Sequence, residues 1–148
     1  MRKLPIVLAA LLSFVATPAL AQSLSAEVSA GTNFKNEDVS YGVGVGLDLP
    51  LTNSIVVGLE ASAEDFINDN DTTILYGGTR LGLNVTDGTL LFINGGYVRA
   101  SGNGGYRVGT GIEQNLTSNV YTKLAYDYTD FGNGNNDHGG TIGLGRRF

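Results

Sequence analysis

The chain has 148 residues with 22 Gly, 3 Pro, no Cys and no Trp. The lack of Cys excludes disulfide scaffolds, zinc knuckles, thiol nucleophiles and iron–sulfur ligation, and a single His, His138, excludes a multi-histidine metal centre. With 9 basic against 14 acidic residues the formal net charge is −5, which argues against nucleic acid as a partner.

Arg2 and Lys3 open a leader in which residues 4–15 are mostly apolar and Ala19-Leu20-Ala21 sets small residues at −3 and −1 before Gln22. This is the layout of a secretory signal peptide over residues 1–21, with cleavage expected after Ala21. An uncleaved anchor would need roughly 20 apolar residues, and the run here is shorter and broken by Pro18. Residues 22–148 make a single domain, too short for two separate cores. Without the two leader bases that domain carries 7 basic and 14 acidic groups, a net charge near −7. No apolar run in it is long enough for a spanning helix, so a membrane would have to be crossed by strands.

From Leu24 onward the dominant period is two. Leu24, Ala26, Val28 and Ala30 alternate with Ser25, Glu27, Ser29 and Gly31, and Tyr41, Val43, Val45, Leu47 and Leu49 with Gly42, Gly44, Gly46 and Asp48. Ile55, Val57, Leu59, Ala61 and Ala63 then oppose Val56, Gly58, Glu60, Ser62 and Glu64. Leu81, Leu83 and Val85 face away from Arg80, Gly82 and Asn84, and Leu91, Ile93 and Tyr97 from Asn94 and Gly96, with Phe92 and Val98 breaking the pattern. Tyr106, Val108, Thr110 and Ile112 oppose Arg107, Gly109, Gly111 and Glu113, and Leu124, Tyr126 and Tyr128 oppose Lys123, Ala125, Asp127 and Thr129. Ile142, Leu144 and Phe148 close the series against Thr141, Gly143, Gly145 and Arg147. Helical spacing would scatter these sets around a cylinder, whereas alternation gathers each on one face of a strand. Eight strands of roughly 10 to 13 residues are expected, about the length a tilted strand needs to cross a bilayer.

The connections fall into two kinds. Residues 50–53, 86–89 and 116–119 read as short turns, the middle one holding Asp87-Gly88, a pair that tolerates positive φ. Residues 35–39, 65–72, 101–104 and 131–137 read as polar loops rich in Asn, Asp and Gly. Short turns on one rim and polar loops on the other, with both termini on the turn side, describe an all-β, eight-stranded antiparallel up-and-down transmembrane β-barrel. No further domain is expected after Phe148.

A soluble barrel puts its apolar face inside, and a membrane barrel turns that face to lipid. The second face carries Glu27, Asp48, Glu60, Glu64, Arg80, Arg107, Glu113, Lys123, Asp127 and Arg147, six acids and four bases, which either kind of barrel could accommodate. Three features favour the membrane reading. The first face is nearly free of charge, the glycines lie mainly on the second face where a narrow barrel crowds side chains, and the chain ends in an aromatic residue. Eight strands enclose a space that side chains nearly fill, so mutual pairing of the ten interior charges is expected over a wide pore. A narrow, low-conductance water path stays as an alternative, because inward glycines leave room for water. Tyr41, Tyr97, Tyr106 and Tyr128 near the loop-side ends of their strands read as interfacial aromatics.

The stretch Gly109-Thr110-Gly111-Ile112-Glu113, then Leu116-Thr117-Ser118-Asn119, Tyr126-Asp127-Tyr128-Thr129-Asp130-Phe131-Gly132 and Gly143-Leu144-Gly145-Arg146-Arg147-Phe148 resembles the opacity/OmpA-like family of small outer-membrane β-barrels, barrel domain only. Gly95-Gly96-Tyr97 resembles the fifth strand of that porin-like group. The resemblance implies a Gram-negative outer membrane, contact with membrane lipid and lipopolysaccharide, and Phe148 as the signal read by the barrel-assembly machinery. One departure concerns the tyrosine pair: family members often carry Glu before the first Tyr and Arg between the two, where this chain has Ala125 and Asp127. Its internal ion pairing is therefore expected to differ.

The acidic loop residues Glu37, Asp38, Glu64, Asp65, Asp69, Asp71, Asp130 and Asp137 match no EF-hand spacing and read as solvated charge, with Ca²⁺ or Mg²⁺ binding as the alternative. Acyl-transfer chemistry would need His138 beside a nucleophile. No Ser lies within ten residues of it, and Ser40 and Ser101 could approach only across strands or through a loop. The expectation is a non-enzymatic, monomeric surface or structural protein of the envelope that needs no cofactor. Adhesion or host-factor binding ranks second, since short loops offer little area against the roughly 800 Å² per partner of a standard interface.

Overall fold

Alternation of apolar residues with glycine or charge, and no stretch of helical spacing, draws the chain into strands. The structure, a computed structural model, describes residues 24–67, 72–132 and 134–148, so the leader at 1–21 lies outside the described residues. The strands are β1 (Leu24–Asn33), β2 (Val39–Pro50), β3 (Ile55–Phe66), β4 (Thr73–Thr86), β5 (Thr89–Ala100), β6 (Asn103–Asn115), β7 (Val120–Asp130) and β8 (Asn136–Arg147). Each pairs antiparallel with its neighbours in sequence, and β8 returns to β1 through Val28 opposite Leu144 to close an eight-stranded barrel. Closure leaves no strand edge unpaired, which satisfies the backbone without help from solvent.

The two faces invert the usual distribution of a soluble protein. Leu59, Leu81, Ile93, Leu124, Ile142 and Leu144 are exposed on the outside, while Arg80, Glu113 and Thr129 are buried within. Phe92 and Val98, which break the sequence alternation, both turn inward, together with Ile74, Tyr76 and Leu90. The breaks are therefore apolar residues on the inner face, not lapses in strand structure.

Leu24 and Phe148, the first and last described residues, lie on the turn side, where the Phe148 amide donates to the Leu24 carbonyl at 2.9 Å. The tight turns differ from the expectation. Asp87 and Gly88 do form the two-residue β4–β5 turn, but neither has positive φ; a register shift between Asn84 and Thr86 absorbs the twist there instead. A tight turn with two consecutive positive-φ residues is on the opposite rim, at Ser101 (φ 45°) and Gly102 (φ 86°). Ala100 pairs with Asn103 to close it, so the expected four-residue loop at 101–104 is a tight hairpin.

The narrow interior explains the glycines. Eight of the ten inward charged residues have a glycine directly opposite on a paired strand, as in Glu64 with Gly42, Arg80 with Gly58, Arg107 with Gly96 and Asp127 with Gly109. The same device seats rings, with Phe92 opposite Gly111 and Tyr121 opposite Gly145. At Gly96 an added Cβ would run into the Gly77 carbonyl and reach 2.5 Å from the Gly78 Cα, whereas Gly77, facing outward, has nothing within 4 Å. Gly96→Ala is therefore expected to cost about 1–3 kcal/mol. Gly77→Ala should stay within about 0.5 kcal/mol of the wild type. The midpoints of urea unfolding of the two purified variants check the contrast.

Candidate functional site

The chemically distinctive part of the molecule is its charged interior. Near the turn side, Arg80 on β4 forks onto Asp48 on β2, donating from Nε to Oδ1 at 2.8 Å and from Nη2 to Oδ2, and reaches Glu113 on β6 with Nη1. Glu113 also holds Arg147 on β8 at 2.5 Å, and Arg147 donates to Asn115 Oδ1 at 2.5 Å. The Glu113 side chain is 1 % exposed, that of Arg80 5 % and that of Arg147 23 %, so one buried carboxylate bridges a buried guanidinium and a partly exposed one. Planar guanidiniums suit such shared, forked contacts.

Higher in the barrel Lys123 on β7 pairs with Glu27 on β1 at 2.5 Å, and Arg107 on β6 with Glu64 on β3 at 2.6 Å. Arg107 also donates from Nε to Thr129 Oγ1 at 3.0 Å. Glu60 takes no ion pair among the described residues; its Oε1 accepts from Tyr76 Oη at 2.9 Å and Asn94 Nδ2 at 2.6 Å. Asp127 has no salt bridge among the described residues.

All three inward arginines lie over rings: Arg147 over Tyr121 at 4.2 Å, Arg107 over Tyr76 at 5.5 Å and Arg80 over Phe92 at 5.7 Å. A guanidinium on a ring face is attracted by the ring quadrupole, more so away from water. Sequence reading named the ten charges but not these three aromatics as their partners. Parity would have found them, because Tyr121 shares the face of Lys123 and Asp127, and Tyr76 that of Arg80.

Two cavities interrupt this packing. One of about 70 Å³ in mid-barrel is bordered by Glu27, Glu60, Asn94, Arg107, Lys123 and Asp127. Another of about 50 Å³ at the loop-side mouth is bordered by Asn33, Ser40, Glu64, Asp127, Thr129 and Asp137. Beside the mouth Ile74, Tyr76, Val98 and Ala100 form an apolar cluster, with Phe66 and Phe131 packed against it. Both cavities are polar and large enough for a few waters.

On the outside, Tyr97 and Tyr106 are an exposed cross-strand pair, Tyr128 sits opposite Val108 and His138, and Tyr41 opposite Ala30 and Asp65. Tyr106 Oη donates to Asp130 Oδ2 at 3.1 Å. At the other rim the Arg146 guanidinium lies over the Phe148 ring at 5.3 Å. His138 packs beside the stacked rings of Phe34 and Tyr126, at 5.8 Å and 6.3 Å. Ser40 and His138 both border the mouth cavity, with no hydrogen bond between them among the described residues, and Ser101 bonds to Thr72 Oγ1 at 3.3 Å.

The acidic loop residues do not gather. Glu64 turns inward to Arg107, Asp130 takes Tyr106, Asp137 takes Asn33, and Asp69 and Asp71 lie outside the described residues. Among the described residues no group of three or more His, Cys, Asp or Glu side chains is arranged to hold a metal ion.

No protein-family model matches this sequence. No curated protein matches it either. Solved structures do. The outer-membrane enzyme PagL aligns with a TM-score of 0.70 at 10% identity, over 84% of this chain and 99% of that one. The N-terminal β-barrel domain of Pseudomonas aeruginosa OprF gives 0.64 at 16% identity over 86% and 98%. Ail, the attachment invasion locus protein of Yersinia pestis, gives 0.61 at 11% identity over 85% and 97%. At such identities the likeness is one of fold, the closed barrel these outer-membrane proteins share. The interior has to be tested by its own side chains. Arg80→Met strands Asp48 and Glu113 without their shared cation and is expected to cost about 3–5 kcal/mol. Combined with Glu113→Gln the loss should fall short of the sum of the two single losses, a coupling that a double-mutant cycle of urea unfolding reads directly.

Proposed function

We propose that the chain is a Gram-negative outer-membrane barrel, exported by the signal peptide at residues 1–21 and cleaved after Ala21. Its role is structural and surface-presenting, and it is not an enzyme. The observation that carries this reading is the inversion of the two faces. A closed barrel with exposed Leu and Ile outside and arginine–carboxylate pairs within suits a surrounding that dissolves apolar side chains and offers the backbone no hydrogen bonds. The fold it shares with outer-membrane proteins agrees with that surrounding, and the motifs of the last forty residues favour the opacity/OmpA-like group within it.

In this reading Tyr41, Tyr97, Tyr106 and Tyr128 anchor the barrel at the outer interface beside lipopolysaccharide, and Phe148 is the residue that the barrel-assembly machinery reads. The paired interior charges tie the strands together; with Arg80 and Glu113 buried in the lumen toward the turn side they fill space that a diffusion pore would leave open. His138, flanked by rings and without a hydroxyl partner among the described residues, gives no support to acyl transfer.

Boiled and unboiled samples of the detergent-extracted protein are expected to migrate differently on gels and to show β-sheet circular dichroism before boiling. A protein that is soluble in water and shows no shift would mean that the outer face does not meet lipid. Deletion of Phe148 is expected to lower the amount recovered in the outer-membrane fraction of expressing cells while the purified protein still refolds in detergent; equal recovery would remove the assembly role.

A further inference from the structure

Six basic side chains lie on the strands, and the barrel treats them in two ways. Arg80, Arg107, Lys123 and Arg147 point inward, and each is bound to a carboxylate. Arg99 and Arg146 are exposed on the outer face, and neither has a salt bridge among the described residues. Arg146 stands near the turn-side end of β8, between the inward Gly145 and Arg147, and shares its face with the exposed Ile142 and Leu144. Its cross-strand neighbours are Ala26 on β1 and Val120, the first residue of β7. On its own strand Leu144 precedes it on that face and Phe148 follows. Every one of these neighbours is apolar. A positive charge is thus set in the outer face with no acid to meet it, at the level where the strands begin. The lipid face of a barrel bears such a charge at low cost only at the interface, where a long side chain brings its head to water or to a lipid headgroup.

The charge is also positioned. The Arg146 guanidinium lies over the Phe148 ring, 5.3 Å from its centroid. A ring takes up one face of a guanidinium and leaves the N–H groups at its edge available. Arg146 donates none of them to a side chain or carbonyl among the described residues. Ala26 and Val120 on the flanking strands are too short to fold over that fork. Arg99, at the loop-side rim opposite Leu75 and Gly104, has no such ring beneath it among the described residues.

We propose that Arg146 binds the phosphate of a membrane phospholipid, its guanidinium forking onto two phosphate oxygens while the acyl chains run along Val28, Leu124, Ile142 and Leu144. Those four side chains are exposed on the same face, further toward the middle of the strands. The inference rests on the reading of the outer face as lipid-facing, and gives that face one defined headgroup contact at the short-turn rim, the periplasmic rim of such barrels. Charge and depth select the ligand. A planar fork matches the paired oxygens of a phosphodiester, and at the edge of the apolar band the anion a bilayer supplies is the lipid phosphate. A free phosphate would leave the adjoining apolar surface without a partner.

The test is native mass spectrometry of the purified protein released from nonionic detergent, with dioleoylphosphatidylglycerol titrated in and dioleoylglycerol and glycerol 3-phosphate run in parallel. The heat-dependent gel shift is recorded first on each sample. A missing shift means that no barrel has formed and takes down the lipid-facing reading itself, whereas a folded barrel that fails to bind refutes this site alone. The expected result is a saturable one-lipid adduct with phosphatidylglycerol, absent with the phosphate-free diacylglycerol, weakened about tenfold or more in Arg146→Gln and unchanged in Arg99→Gln. Equal adducts in the wild type and Arg146→Gln would overturn the proposal. So would an equal loss in Arg99→Gln, which means diffuse charge attraction, or equal retention of glycerol 3-phosphate, which means a site for free phosphate. Should Arg146→Gln fail to refold, phosphorus NMR of the wild-type protein in mixed micelles decides: a saturable shift of the phosphatidylglycerol resonance supports the site, and its absence refutes it.

Discussion

Closing eight strands into one ring is the constraint on which the rest of the structure depends. Once β8 pairs with β1, every second residue of every strand points into the same narrow cylinder, and the available volume is fixed by strand number. Side chains of full size on all eight inner faces cannot fit. The chain meets this by pairing large with absent: a charged or aromatic residue on one strand faces glycine on the next, as with Asp127 and Gly109 or Tyr121 and Gly145. Glycine weakens a strand considered alone. Here it is the condition for strands to carry charged side chains inward at all.

What fills the space is ionic, which calls for a physical account because buried ion pairs are a weak source of net stability. Removing water from two charges costs several kcal/mol per ion, about as much as their attraction returns. The return improves when one side chain satisfies several others. Glu113 is shared by Arg80 and Arg147, with Asp48 supplying the second negative charge, and each of the two guanidiniums also rests on a ring, Phe92 and Tyr121 respectively. The network joins β2, β4, β6 and β8, strands that are not ladder neighbours, so it fixes their relative positions across the lumen where backbone pairing does not reach. Register is thereby held from inside. A slip of one residue would bring Leu or Ile into the lumen and send the charges outward.

The strands, the inner and outer faces and the closure were legible in sequence because a period of two persists through Tyr41–Leu49, Ile55–Glu64 and the later segments with few interruptions. Less legible was what the interruptions meant. Phe92 and Val98 looked like lapses in a polar face, yet Val98 belongs with Ile74, Tyr76 and Ala100 to an apolar cluster near the mouth, and Phe92 lies lower, under the Arg80 guanidinium. Alternation tells which face a residue takes but not how high along the axis it sits relative to residues on other strands, since height depends on the stagger of eight registers. For the same reason ten charges could be named from sequence, but not that Arg80 would choose Asp48 and Glu113, or that Asp127 would be left beside Asn94. Turn chemistry was half legible. Asp87-Gly88 sits at a tight turn without the positive φ that its composition allows, while Ser101-Gly102, hidden in a polar stretch, adopts it.

The same barrel carries an outer-membrane enzyme, an attachment protein and the N-terminal domain of a larger protein, so the ring of strands does not select among functions. Selection has to come from what varies at fixed closure: the loop-side rim and the side chains enclosed. In this chain the rim is modest. One of its four connections is only the two residues Ser101 and Gly102, which leaves little surface on that side of the mouth. The interior, by contrast, sets four acids against three bases around the mid-barrel cavity, and two of those acids, Glu64 and Asp127, also border the mouth cavity. A merely structural filling would gain by neutralising Asp127 or giving it a base, as the other carboxylates with ion pairs have. Asp127, opposite Gly109 and without a salt bridge among the described residues, borders the cavity beside the Asn94 amide oxygen, so its charge has to be solvated by the cavity and not by a paired base.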